Sequence, residues 1–294
     1  MNMRQQMVST VEGVLRSDVR TMLLLGDIGV FGFRNAFEAF PERVLNIGIL
    51  EQATIGVAAG LSLCNMIPIV HSIAPFLVER AFEQLKIDFG YQKTGGNFIS
   101  VGASYDYAAL GCTHHCPGDV GILKNCPGME IVVPGTASEF DTLFRRTYAN
   151  GSPTYYRLSE RSNAMSCDVS FGKATVIRKG EGLTVVAVGP LLDTVLEAGK
   201  DLDITILYYT TVAPFDAQTL KDNAGSSKLL LCEPYYSGVS AADIQAALFP
   251  APVSIDFAGI PFRFLTQYGS CAEHDEALGL TAGRIRSRMQ RMMA

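Results

Sequence analysis

Short apolar runs alternate with amphipathic stretches along almost the whole chain of 294 residues. That alternation is expected of an α/β fold, with mostly parallel sheets covered by helices on both faces. In the first part, strands are predicted at Thr21–Leu25, Val44–Ile47, Ile67–His71, Phe98–Val101, Glu130–Val133 and Thr154–Arg157. Helices fit between them at Gln5–Ser17, Gln52–Cys64, Phe76–Tyr91 and Ser138–Tyr148, the last capped by Thr136 or Ser138. A second set follows the polar stretch Glu160–Asp168. Its strands are predicted at Lys173–Ile177, Thr184–Val188, Ile204–Tyr208, Lys228–Cys232 and Val253–Phe257. Its helices are predicted at Leu192–Ala198, Asp216–Asp222 and Ala241–Ala247, with a basic helix over the last dozen residues. Two tandem α/β domains result, 1–165 and 172–294, joined near residues 163–172.

Composition narrows the class. With 48% hydrophobic and 18% charged residues there is material for a sizeable core. The net charge of -5 comes from interspersed acids and bases, with no basic face, which argues against nucleic acid. The stretch MNMRQQMVST holds no apolar segment of the secretory kind. The weakly polar run from Ile47 to Val70 carries Glu51, Gln52, Asn65 and Pro68, so it suits a membrane poorly. Seven scattered cysteines read as reduced thiols, and the expected setting is the cytoplasm.

Four segments could carry chemistry. In Asn46-Ile47-Gly48-Ile49-Leu50-Glu51-Gln52, a strand runs through glycine into a helix whose first turn holds Glu51. An acid there meets the positive end of the helix dipole, a purely structural use. Its apolar neighbours suggest instead a dry carboxyl with a raised pKa, suited to sharing a proton. Gly56 and Gly60 would allow close helix packing. The second segment, Ala74 to Gln84, has helical spacing at Phe76, Leu77, Ala81 and Leu85, and an aromatic stripe of this kind is usually core. The third, Gly111-Cys112-Thr113-His114-His115-Cys116, gathers two of four histidines and two of seven cysteines into a loop. Zinc would require paired ligands from separated segments, and after Cys112, Cys116 and Cys126 no fourth ligand follows. A loop histidine beside a threonine suits binding or proton transfer to a polar substrate. The fourth, Pro153 to Arg161, ends a strand in Arg157 and Arg161, which could hold a phosphate or carboxylate or form salt bridges at a domain junction.

In this order and spacing, the four segments resemble the second half of transketolase. They are also similar to 1-deoxyxylulose-5-phosphate synthase and, more distantly, to the β subunit of 2-oxo-acid dehydrogenases. The stretch Cys126-Pro127-Gly128-Met129 with Val133-Pro134-Gly135-Thr136-Ala137-Ser138-Glu139 adds a further family pattern. The resemblance implies a thiamine-diphosphate enzyme in which Glu51 hydrogen-bonds the aminopyrimidine N1′ and promotes the imino tautomer that activates the cofactor. It further implies that Phe76 stacks on the pyrimidine, that Asp27 and Arg80 lie near the cofactor, and that His114 contacts the reacting end of the donor. Arg157 and Arg161 would contact the substrate, Arg157 as a phosphate-binding arginine.

These enzymes hold the diphosphate and Mg2+ with a GDG…N motif in another domain, and Gly26-Asp27-Ile28-Gly29 does not supply it. The resemblance therefore implies a split enzyme. A partner subunit equivalent to the N-terminal half of transketolase would bring that motif, with two copies of each chain closing a two-fold assembly. The part after about residue 172 resembles the family's third domain, which packs and dimerises. Leu110, Gly102 and Ala103 stand where family members carry polar or charged substrate contacts, which implies altered sugar recognition. The expected reaction is transfer of a two-carbon ketol or acyl unit from a keto donor to an aldehyde acceptor. The alternatives are the β subunit of a 2-oxo-acid dehydrogenase and a non-catalytic partner.

Overall fold

The computed structural model describes residues 1–294. The first domain carries β1 (Thr21–Leu25), β2 (Val44–Asn46), β3 (Ile67–Ile73), β4 (Gly96–Val101), β5 (Glu130–Val132) and β6 (Pro153–Arg157). Around them lie α1 (Met3–Ser17), α2 (Arg34–Ala39), α3 (Glu51–Leu63), α4 (Ala74–Val78), α5 (Phe82–Gln84), α6 (Asp119–Leu123) and α7 (Ala137–Thr147). The second domain carries β7 (Thr175–Arg178), β8 (Leu183–Val188), β9 (Ile204–Tyr209), β10 (Thr211–Ala213), β11 (Lys228–Tyr236) and β12 (Ser254–Ile260). Its helices are α8 (Leu192–Ala198), α9 (Ala217–Asn223), α10 (Ala241–Leu248), α11 (Cys271–Leu278) and α12 (Ala282–Met293). No helix is long and apolar enough to cross a membrane.

The first sheet has the order β10-β5-β6-β4-β3-β1-β2 and the second β12-β11-β8-β9-β7. Every pairing is parallel except β10 on β5 and β7 on β9. Helices cover both faces, so β1, β4, β6 and β8 are buried at every residue; β1 and β8 read as largely apolar runs, while β4 and β6 also bury polar residues such as Asn97 and Arg157. β10 leaves the second half of the chain to finish the first sheet. It is too short to be seen as a separate strand in the sequence. Two apolar clusters, one holding Leu25, Tyr156 and Val185 and the other Leu24, Tyr155 and Val186, each draw on both domains.

Capping sets the helix boundaries. Asn2 and Gln5 form a capping box at the start of α1, whose buried face of Met7, Val11 and Val14 packs on α7. Thr136, not Ser138, caps α7 by accepting from the Glu139 amide at 3.2 Å, while the Ser138 hydroxyl meets that of Ser166. The single helix expected over Phe76–Tyr91 is broken. Ala81 leaves helical geometry at φ −117° and ψ 19°, and a π-helical turn over Leu85–Tyr91 follows α5. Leu77, Ala81, Leu85 and Phe89 are all buried despite the break, so their periodicity could not reveal it. α2, α6 and α11 are not evident in the sequence pattern either; they are five to eight residues long, too short for a clear period.

Glu139 latches the two domains together. Fully buried in the first turn of α7, it accepts from the Gly135 amide at 2.8 Å and from the Tyr208 hydroxyl of β9 at 2.7 Å. Its other oxygen accepts from the Cys167 amide in the linker at 2.9 Å. Glu139→Ala deprives three sheltered donors of their acceptor and is expected to cost roughly 3 kcal/mol, about 1 for each bond. A lower urea midpoint checks this, with a smaller loss in Glu139→Gln.

Candidate active site

Parallel strands deliver their carboxyl ends to one edge, where α/β folds place their sites. At the ends of β1 and β2, the Asn46 side chain laces two turns together. Its amide donates to the Asp27 carboxylate at 2.9 Å, and its oxygen accepts from the amides of Asp27 and Gly48, each at 3.0 Å. Asp27 is left-handed at φ 62°. A Cβ on Gly26 would come within 2.9 Å of the Gly48 carbonyl oxygen, so the approach of the two turns requires glycine there. This lacing aims the start of α3, and Glu51 is the first residue of that helix.

The Glu51 carboxylate accepts from Arg80 Nη1 at 2.9 Å. The Arg80 guanidinium lies 3.9 Å from the centre of the Phe76 ring, a cation–π contact. Phe76 in turn meets the His114 ring edge-on at 5.4 Å. The Thr113 hydroxyl is 3.0 Å from His114 Nδ1, and Tyr107 approaches the same ring at 6.4 Å. Glu51, Arg80, Phe76 and His114 are thus brought together from three separate segments, and Asp27 stands apart on the lacing. The Glu51 carboxylate is sheltered and ion-paired with Arg80, a partner the sequence pattern did not indicate.

Arg157 and Arg161 are placed otherwise than expected. The Arg157 guanidinium is 1% exposed and donates to the Asp119 carboxylate at 2.7 Å, to the Ser104 hydroxyl at 3.0 Å and to the Cys116 carbonyl at 3.4 Å. Asp119 also accepts from the Tyr155 hydroxyl at 2.8 Å. Its Nε and Nη2 donors are committed to the interior, which leaves at most Nη1 for a substrate phosphate. Arg161 forms an ion pair with Asp275 of α11. Arg161 pairs across the domain junction, whereas Arg157 and Asp119 pair inside the first domain. Sequence could not separate the two uses because both partners lie far along the chain.

Other groups at this edge were not anticipated. Arg4, exposed and without an ion pair, lines a cavity of about 240 Å3 with Gly102, Tyr107, Ser159 and Glu160. The helix expected from the sequence began at Gln5, one residue after it, and nothing in the pattern indicated what Arg4 faces. His71 is buried, with Nδ1 2.9 Å from the Ile99 carbonyl, and burial lowers its pKa to about 4. Cys112 is exposed while Cys116 and Cys126 are buried, and no three His, Cys, Asp or Glu side chains gather as a metal would require.

Asp106 accepts from the Ser159 hydroxyl at 3.0 Å and the Glu160 amide at 2.9 Å, and burial pushes its pKa up to about 6. The folded chain therefore holds this proton at pH values where the unfolded chain has lost it. Stability is penalised as pH rises from about 4 to about 6, and the penalty is complete above that. Asp106→Asn is accordingly expected to gain stability over the original chain at about pH 8 and to lose that gain as pH falls towards about 4. Chemical denaturation across this range measures the difference.

The family described as "Transketolase, pyrimidine binding domain" matches residues 1–165. An uncharacterized 33.6 kDa protein in the fasciation locus of Rhodococcoides fascians is 38% identical over 278 residues, 93% of this chain and 89% of that protein. A subunit of the apulose-4-phosphate transketolase of Actinobacillus succinogenes is 30% identical over 190 residues, 62% of this chain and 61% of that one. A solved structure described as a split gene transketolase, inactive β4 tetramer, is 25% identical with a TM-score of 0.86, covering all of this chain and 98% of that one.

Proposed function

The chain belongs to the transketolase family through its pyrimidine-binding domain, and from that premise we propose that it is one subunit of a split, thiamine-diphosphate-dependent transketolase. In this reading it moves a two-carbon ketol unit from a keto donor to an aldehyde acceptor. The observation that carries it is the Glu51–Arg80–Phe76 arrangement. A planar hydrogen-bond donor already lies on the Phe76 ring and donates to Glu51. An aminopyrimidine is also a planar group that can donate to a carboxylate, so the residues present fit it once Arg80 swings away. Arg80 is half-exposed, so solvent can take up its guanidinium when it leaves Glu51 and Phe76.

When bound, thiamine diphosphate supplies the carbon nucleophile for the reaction. Phe76 would stack on its pyrimidine, and Glu51 would hold a proton at N1′. Asp27, fixed by Asn46, lies near the cofactor in this reading. His114, oriented by the Thr113 hydroxyl, would hydrogen-bond the reacting end of the donor. Leu110, Gly102 and Ala103 provide no charged side chain, and Arg157 and Arg161 are committed. Arg4 is left to face the mouth, which suits a donor with at most one anionic group. The description of the Actinobacillus relative as part of a transketolase favours ketol transfer over acyl transfer to a lipoyl group.

The partner would carry the GDG…N motif and hold the diphosphate with Mg2+, two copies of each chain forming the assembly. An unusual helix face supports a second chain. Ile49, Leu50, Val57 and Leu63 are exposed along and just before α3. A Cβ on Gly60 would meet nothing within 4 Å, and one on Gly56 only Asp88 at 3.9 Å. No contact within this chain needs those glycines, whereas close approach of another helix would use them.

Calorimetric titration of thiamine diphosphate with Mg2+ tests the reading. Binding by the co-expressed pair but not by this chain alone is expected, and Glu51→Gln should abolish turnover by the pair. Tight binding by this chain alone would falsify the split-enzyme proposal, and normal turnover by Glu51→Gln would leave this chain a non-catalytic partner. Gly60→Leu should leave the isolated chain stable, within about 1 kcal/mol, because its side chain enters open space. In size-exclusion chromatography the same variant should fail to assemble with the partner.

A further inference from the structure

The loop between β4 and α6 carries His114 and has little regular structure of its own beyond short turns at Ala108–Leu110 and Cys112–His114. First-domain hydrogen bonds hold its ends, and the second domain grips its middle. Gly111 has φ +74°, and a Cβ there would lie 2.6 Å from the Tyr268 ring, which occupies that space. Cys271 Sγ lies 3.6 Å and 3.5 Å from the carbonyl oxygens of Tyr105 and Asp106. Asp275 accepts from the Tyr105 hydroxyl at 2.5 Å and pairs with Arg161. The His274 ring packs between those of Tyr105, at 5.1 Å, and His115, at 5.5 Å.

Tyr268, Cys271, His274 and Asp275 form one run leading into and along α11. Each grips the Tyr105–His115 loop or its neighbour Arg161 from the same side. Tyr268 is nevertheless 71% exposed. So large a ring left open to solvent contributes little to the core, but it fills the place beside Gly111 that fixes the turn bearing His114.

We propose that the Tyr268–Asp275 segment is a positioning clamp, through which the second domain sets the orientation of His114 towards Phe76. Tyr268 acts as a positioning residue. The proposal rests on the reading of His114 as a donor-binding group. It assigns the second domain a part in the active site beyond packing. The clamp works by shape at Tyr268 and by hydrogen bonds at Asp275, and both limit the turns available to the loop.

Cys116, buried two residues after His114, reports opening of the loop, and Cys64, exposed after α3, serves as the internal reference. The probe is iodoacetamide on the full chain, with site-resolved mass spectrometry. Tyr268→Ala is expected to raise Cys116 alkylation relative to Cys64 by about fivefold, since local opening is no longer opposed by the ring. Tyr268→Phe should restore the original rate, because the ring rather than the hydroxyl fills the space. Asp275→Asn should also speed labelling and increase amide exchange over residues 110–115. A change below about twofold in Tyr268→Ala with an unaltered melting curve overturns the clamp, as does failure of Tyr268→Phe to restore the rate. The labelling requires neither cofactor nor partner. Failure of the split-enzyme reading would therefore leave this result unchanged.

Discussion

A guanidinium and a carboxylate buried side by side anchor the part of the molecule on which the site depends. Arg157 at the end of β6 and Asp119 at the start of α6 are 1% and 0% exposed. Moving two such charges out of water is costly, and it is tolerated only when the geometry is good and the remaining donors and acceptors are met. Tyr155, Ser104 and the Cys116 carbonyl meet them here. The Ser104–Asp119 loop is consequently tied at both ends to the floor of the sheet, with His114 at its tip. The same guanidinium faces the Tyr235 ring of β11 at 5.5 Å, so the anchor also joins the domains.

That anchor leaves a division of labour among the charged groups. Arg157 and Arg161 are spent on Asp119 and Asp275, and Glu139 on three donors from both domains. The groups left with freedom are at the sheet edge: Arg80 on Phe76, His114 beside Thr113, and Arg4 at the cavity mouth. Buried polar groups must be paired and lose mobility, while exposed ones can exchange partners. A site that receives a cofactor and a substrate needs the second kind held in place by the first.

The edge also ends abruptly. Apolar side chains on α3 stand in solvent beside Gly60, whose added Cβ would meet nothing within 4 Å, on the helix that starts at Glu51. An isolated chain gains nothing from this arrangement, but a neighbouring chain could bury it. A second chain seated on that face would close the open side of the site and exclude water from it, strengthening each electrostatic contact inside.

Periodicity and composition alone determined much of this protein. They placed nearly every strand of five or more residues to within a few positions, the longer helices and the two α/β halves, while the gathering of Glu51, Phe76 and His114 followed from the resemblance carried by four short segments. Those features are local, written within a single element or in the order of short segments. The chain pattern could not reveal the break at Ala81, the transfer of β10 to the first sheet, the pairing of Glu51 with Arg80 or the commitment of Arg157. The last three are each decided by a partner dozens of residues away. Burial and pairing are properties of the three-dimensional neighbourhood, and residues such as Asp119 and Asp275 become neighbours of the two arginines only when the sheets are assembled.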